Sequence, residues 1–240
     1  MSRTNRMFLI FLVLIAAFLI WTTAEAGKII TLDSGTYKLK GTLCLPKGVG
    51  PFAAVVYHHG GMGDRVGGAP KATCNALAKA GFVGLSLIRR PTRSLQGHLN
   101  DAEAAVNYIK KRPKVDPDRV GVIGFSRGGL LAWQQAAQRI DLSAAVIMAV
   151  AVNRQLDFDD AQRMNAPFLV LVAKNDTGSR LTKGKNTVNF SRRLVAALEQ
   201  ADRDVKFLIY PPFRNDGHTL FFEVRPEYWP DVVRFLKRNI

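Results

Sequence analysis

The chain has 240 residues, 48% of them hydrophobic and 22% charged, with a formal charge of +15. That is enough apolar residue for one well-covered core, and the composition is unlike that of a disordered or fibrous chain. The basic residues are scattered, as in KKRPK at 110–114, and no recognition helix, zinc finger or RNA-binding signature accompanies them. A charge of this size is compatible with an anionic lipid or anionic substrate and equally with a solvated basic surface, and nucleic acid is not expected as a partner.

Residues 1–26 read as a signal peptide, cleaved after Ala26. Arg3 and Arg6 precede an apolar run from Met7 to Trp21, and Ala24-Glu25-Ala26 follows, which is the order of a secretory leader. The run is short for a membrane-spanning helix, so an uncleaved anchor is the alternative and would be the protein's one contact with a membrane. Either way the body of the protein, residues 27–240, is expected in the periplasm or secreted. Loss of Arg3, Arg6 and Glu25 takes the charge from +15 to +14.

The mature region opens with KIITLDSGTYKLKGTLCLP, whose period-two alternation around Asp33-Ser34-Gly35 predicts an antiparallel hairpin. Six short apolar runs then predict strands at 52–59, 81–88, 119–126, 142–150, 167–176 and 204–213. They are apolar on both faces, as parallel strands covered by helices are. Helices with one apolar stripe are predicted at 70–80, 99–112, 128–139, 189–202 and 226–239. A hairpin followed by alternating strands and helices implies an α/β fold with a mostly parallel, doubly wound sheet. The connection at 151–166 is short, which leaves no room for a large cap domain. Cys44 and Cys74 both lie among apolar residues and are read as buried free thiols, with a single disulfide as the alternative.

The stretch RVGVIGFSRGG at 119–129 carries the chemistry. A strand that turns abruptly into a helix, leaving one side chain at the apex, needs residues without Cβ atoms two positions to either side. Gly124 and Gly128 meet that need and place Ser126 at the apex. Arg127 then begins the helix, with its backbone N–H free to face an anion.

With this G-x-S-x-G, the HHGG at 58–61, KND at 174–176 and GH at 217–218, the chain resembles the α/β-hydrolase superfamily. Within it the likeness is to small serine hydrolases of the dienelactone-hydrolase and prolyl-oligopeptidase types, and it runs over nearly all of the mature region. The resemblance implies an α/β-hydrolase fold and a triad of Ser126, Asp176 and His218, following the family's chain order. Dienelactone hydrolases more often present a cysteine nucleophile, so a serine at 126 does not carry over their lactone substrate.

The residues support those partners in their own right. A serine hydroxyl needs a base, and His218 lies in the polar loop after the last strand, whereas His58 and His59 end a strand and His98 opens a helix. Asp176 ends a strand at the same sheet edge and would orient the base; Asp157, Asp159, Asp160 and Asp216 are the rivals. The glycines of HHGGMGDRVGG at 58–68 let backbone N–H groups approach a substrate. Gly61 is expected to complete an oxyanion hole with Arg127, and Met62 is the second choice. Arg89 and Arg90, with Arg93, follow a central strand and are candidate contacts for an anionic substrate; the alternative, and the preferred one, is that they are solvated or pair with nearby acids. His58 and His59 lack further ligands nearby, so no metal is expected, and no cofactor is required.

These readings make the chain an exported hydrolase of carboxylic esters or related acyl compounds acting on a small-molecule substrate. The alternatives are a peptidase or thioesterase on the same triad, or a catalytically silent hydrolase fold that serves as a binding protein.

Overall fold

The computed structural model describes residues 27–63, 70–92 and 95–240. The proposed leader at 1–26, Asp64–Gly68 of the glycine-rich stretch and Arg93 lie outside the described residues.

The hairpin forms from β1 (Lys28–Ser34) and β2 (Tyr37–Cys44), paired antiparallel. Strands β3 (Phe52–His58), β4 (Val83–Leu87), β5 (Val115–Phe125), β6 (Ala144–Met148), β7 (Phe168–Ala173) and β8 (Val205–Tyr210) complete an eight-stranded sheet in the order β1-β2-β4-β3-β5-β6-β7-β8. From β4 to β8 every pairing is parallel; β2 joins β4 antiparallel. Helices α1 (Pro70–Lys79), α2 (His98–Lys110), α3 (Arg127–Gln138), α4 (Thr187–Gln200) and α5 (Trp229–Asn239) connect or follow these strands. The architecture is the α/β-hydrolase one, with no large cap among the described residues.

The continuous apolar runs of β4, β6 and β7 are buried at every position because helices cover both faces of the sheet. Two apolar clusters result. One contains Trp133, Leu130 and Ile109, and the other contains Tyr57, Phe125, Phe221 and Tyr228. The last strand departs from the expectation: β8 is the sheet edge, and its residues are only half-buried or exposed. β5 begins at Val115, earlier than the sequence pattern suggests, although its Asp116 to Arg119 segment carries little of the core.

The cysteines correct the sequence reading. Cys44 and Cys74 are joined in a disulfide, their Cα atoms 5.6 Å apart. The pairing follows from the packing of α1 over β2 and β4, where both cysteines are fully buried.

At the centre of the sheet β3 lies between β4 and β5, with His58 level with Leu87 on one side and Gly124 on the other. The ends of β3, β4 and β5 therefore reach one rim together. A Cβ on Gly124 would overlap the backbone of Gly128, and one on Gly128 would overlap the carbonyl of His58. The second glycine is thus required by the neighbouring strand as well as by its own turn. Replacing either by alanine is expected to lower stability by about 3 kcal/mol or more, or to abolish folding. Gly129→Ala, whose nearest neighbours would lie at 3.3 Å, should cost clearly less in a urea titration.

Candidate active site

Ser126 sits at the turn between β5 and α3 with φ 53° and ψ −113°, a conformation that residues with a side chain rarely adopt. The backbone around it is fully engaged. Its N–H donates to Met148 O at 2.9 Å, and its carbonyl accepts from Leu130 N at 3.2 Å and Ala151 N at 2.9 Å. The strained residue is over-determined by its neighbours, and its hydroxyl is left half-buried at the rim.

The structure brings the three predicted side chains together. His218 Nε2 lies 3.1 Å from Ser126 Oγ, and His218 Nδ1 lies 2.8 Å from Asp176 Oδ2. Both partners of the serine are buried, Asp176 at 1% and His218 at 4% exposure, so solvent competes little for these hydrogen bonds. Nδ1 donating to the carboxylate leaves Nε2 free to accept the serine proton, the tautomer that a general base needs.

Each partner is held by its own element. Asp176 follows β7, and its backbone carbonyl accepts from Thr187 N at 3.0 Å, Val188 N at 3.3 Å and Thr187 Oγ1 at 3.1 Å at the start of α4. The preceding Asn175 ties this segment to the loop that carries the histidine. Its Oδ1 accepts from Phe213 N at 2.9 Å, and its Nδ2 donates to the carbonyls of Phe213 and Arg214. His218 is the second residue of a 3₁₀ turn (Gly217–Phe222), and Asp216 Oδ1 accepts its N–H at 3.0 Å. Gly217 is needed beside it, because a Cβ there would press on Asn175 Oδ1 and Asp176 N at 2.6 and 2.7 Å. Phe125 and Phe222 flank the imidazole, with ring centroids 4.9 and 6.3 Å away.

The rival acids have other places. Asp216 supports the histidine backbone, Asp157 and Asp159 are exposed, and Asp160 is buried against Arg163. Asp160 is thus less solvated than its loop position suggests.

Beside the serine lies a cleft of about 840 Å³, lined by Gly61, Met62, Phe125, Arg127, His218 and Phe222 among others. Gly61 and Arg127, the expected oxyanion donors, are close neighbours: a Cβ on Gly61 would stand 3.1 Å from the Arg127 side chain. Among the described residues no acceptor takes the backbone N–H of either.

Arg89 and Arg90 correct the sequence reading, for neither lines this cleft. Arg90 is bound to Asp101, Nε to Oδ1 at 2.9 Å and Nη2 to Oδ1 at 2.6 Å, and it lies over the Tyr37 ring. Arg89 is buried and donates to the carbonyls of His59 and Gly60. Among the described residues, the cations that line the cleft are Arg127, Arg154, Lys183 and Lys185, and no acidic residue joins them. The last three were missed. Lys183 and Lys185 lie in the segment between β7 and α4 that also carries Asp176, and that position places them at the active rim.

His58 and His59 are buried and face different partners. His58 Nε2 donates to Gln135 Oε1 at 2.9 Å, and burial pushes its pKa down to about 4. His59 is pushed down to about 3, first by burial and then by the Arg89 charge. Both are neutral in the folded protein, whereas an unfolded chain would protonate them near 6.5. Their contribution to stability is therefore complete above about pH 6.5 and is lost as pH falls toward 4 and 3. Each histidine adds a slope of up to about 1.4 kcal/mol per pH unit in that window. Urea unfolding across pH 7 to 4 should show the loss, and His58→Gln should flatten it.

Comparison with known proteins agrees with this geometry. Residues 89–237, more than half of the chain, match the model of the dienelactone hydrolase family. Acyl-coenzyme A thioesterase 3 of Mus musculus is 33% identical over 116 residues, which cover 46% of this chain and 26% of that protein. The chain thus spans about a quarter of the length of the curated relatives it matches first. Dienelactone hydrolase from Anabaena variabilis superposes with a TM-score of 0.67 at 19% identity, covering 91% of this chain and 97% of that one. Dipeptidyl peptidase 4 of Porphyromonas gingivalis superposes with a TM-score of 0.71 at 16% identity, covering 89% of this chain and 35% of that one. At these identities the superpositions establish the shared fold.

Proposed function

Since this chain belongs to the dienelactone hydrolase family, we propose that it is a serine hydrolase that cleaves carboxylic esters or thioesters of small molecules through an acyl-enzyme. The observation that carries the proposal is the unbroken line of hydrogen bonds from Asp176 through His218 to Ser126. His218 takes the proton as Ser126 Oγ attacks the carbonyl carbon, and the imidazolium is stabilised by Asp176. The N–H groups of Gly61 and Arg127 receive the charge on the tetrahedral oxygen. The leaving alcohol or thiol takes the proton from His218. Water then attacks the acyl-enzyme by the same path in reverse, freeing Ser126.

Export is part of the proposal. The charge, apolar and small-residue order of residues 1–26 supports it, and so does the Cys44–Cys74 bridge, since disulfides persist in oxidising compartments.

With p-nitrophenyl esters and acyl thioesters as substrates, Ser126→Ala is expected to lower kcat by about 10⁴-fold or more. Asp176→Asn should lower it by roughly 10²- to 10⁴-fold, with KM little changed in both. A wild-type protein that hydrolyses neither class would contradict the proposal.

A second reading concerns which acyl compounds fit. Among the described residues four cations and no acid line the cleft, which favours a substrate carrying negative charge away from the reacting carbonyl. The acyl-coenzyme A thioesterase relatives are in keeping with a thioester of an anionic carrier. For a pair of esters matched in size, one neutral and one carboxylated, kcat/KM should favour the charged one, and added salt should narrow the gap. Lys185→Glu should lower the charged ester's kcat/KM by about 5- to 10-fold and leave the neutral ester unaffected.

A further inference from the structure

Among the described residues no acid contacts the buried cation Arg89. It follows β4 at the active rim, is 7% exposed, and Asp101, a carboxylate whose charge reaches it, is engaged by Arg90. Burying a guanidinium is costly, and a structural role alone would be met at lower cost by an apolar residue of similar volume. What Arg89 binds explains its presence. Its Nη1 donates to His59 O at 2.7 Å and its Nη2 to Gly60 O at 3.1 Å. Gly60 O also accepts from His59 Nδ1 at 2.8 Å and from Gly63 N at 3.4 Å.

These bonds fix the direction of two peptide planes. In a trans peptide the C=O and the following N–H point opposite ways. With the His59 and Gly60 carbonyls turned toward Arg89, the N–H groups of Gly60 and Gly61 are turned away from it. The segment lies between Arg89 on one side and the start of α3 on the other. A Cβ on Gly60 would stand 3.6 Å from Ser126 Cβ and 2.9 Å from the Phe125 ring, and one on Gly61 would meet Arg127. The two N–H groups are therefore directed to the Ser126 side.

His59 completes the arrangement. Donating from Nδ1 to Gly60 O leaves Nε2 as an acceptor, and Arg89 N donates to it at 3.4 Å. Burial and the adjacent cation keep the ring neutral, so this one tautomer serves both bonds.

We infer that Arg89 and His59 are positioning residues that hold the Gly60–Gly61 peptide with its N–H aimed at the oxyanion formed on attack by Ser126. They act through that peptide, and the guanidinium on its carbonyl also polarises the N–H that faces the substrate. The inference rests on the serine-hydrolase reading above and assigns to these two residues a role apart from the binding of substrate.

The test compares wild type with Arg89→Met, Arg89→Lys, His59→Leu and His59→Gln as full-length proteins. For each, kcat and KM on a p-nitrophenyl ester are measured, with the inhibition constant of a trifluoromethyl ketone, whose carbonyl carbon is attacked by the serine hydroxyl to give a hemiketal oxyanion. Arg89→Met is expected to lower kcat by about 10- to 100-fold and to weaken the ketone by a like factor, with KM within about threefold of wild type. Arg89→Lys, which keeps one donor, and His59→Gln, which keeps an N–H, should recover part of the loss. If Arg89→Met does not fold, as judged by circular dichroism, the His59→Leu and His59→Gln pair decides on the same readouts. A variant that lowers the unfolding midpoint while kcat and ketone affinity stay at wild-type values would overturn the inference, as would a rise in KM alone. Such results with an active wild type leave the hydrolase reading intact, whereas an inactive wild type sinks both.

Discussion

The approach of β5 to α3 at Ser126 is the constraint on which the remainder of the site depends. Backbone of the strand, the helix and the end of β3 come so close there that Gly124 and Gly128 have no space for a Cβ. That crowding holds Ser126 at a positive φ and turns its hydroxyl out of the sheet, where an ordinary strand-to-helix turn would leave it capping the helix. A strained nucleophile position of this kind persists only when its surroundings leave it no other conformation, and the three backbone hydrogen bonds of Ser126 supply that.

The other site residues arrive at the same rim because parallel strands all end there. β3 brings the glycine segment, β4 brings Arg89, β7 brings Asp176, and the loop after β8 returns His218. Each is then locked by contacts that do not react. Thr187 and Val188 hold the carbonyl of Asp176, Asn175 ties its strand end to the histidine loop, and Asp216 fixes the histidine's N–H. Such support decides whether a hydroxyl and an imidazole stand at 3.1 Å or at a distance too great to share a proton.

Much of this was legible in the sequence, and the reasons are local. The glycine spacing around Ser126 is written within residues 124 to 129, although the steric demand on Gly128 comes also from the end of β3. The strands are short apolar runs whose burial on both faces leaves few alternatives, and chain order plus sheet polarity placed Asp176 and His218. What could not be read was partner choice between side chains far apart in sequence. Arg89 and Arg90 look alike beside one another, yet one is neutralised by Asp101 of α2 and the other caps the carbonyls of a neighbouring strand's loop. The pairing of Cys44 with Cys74 depends on how α1 lies across β2, which the flanking residues do not encode. The edge position of β8 likewise follows from strand order, a property of the assembled sheet.

The central claim is that His218 and Asp176 make Ser126 reactive. Its most direct measurement is treatment with a fluorophosphonate followed by peptide mass mapping, on wild type and on His218→Ala. The account predicts one adduct per molecule, carried by Ser126 and lost in the histidine variant. An unmodified Ser126, or labelling that is undiminished without the imidazole, would contradict it.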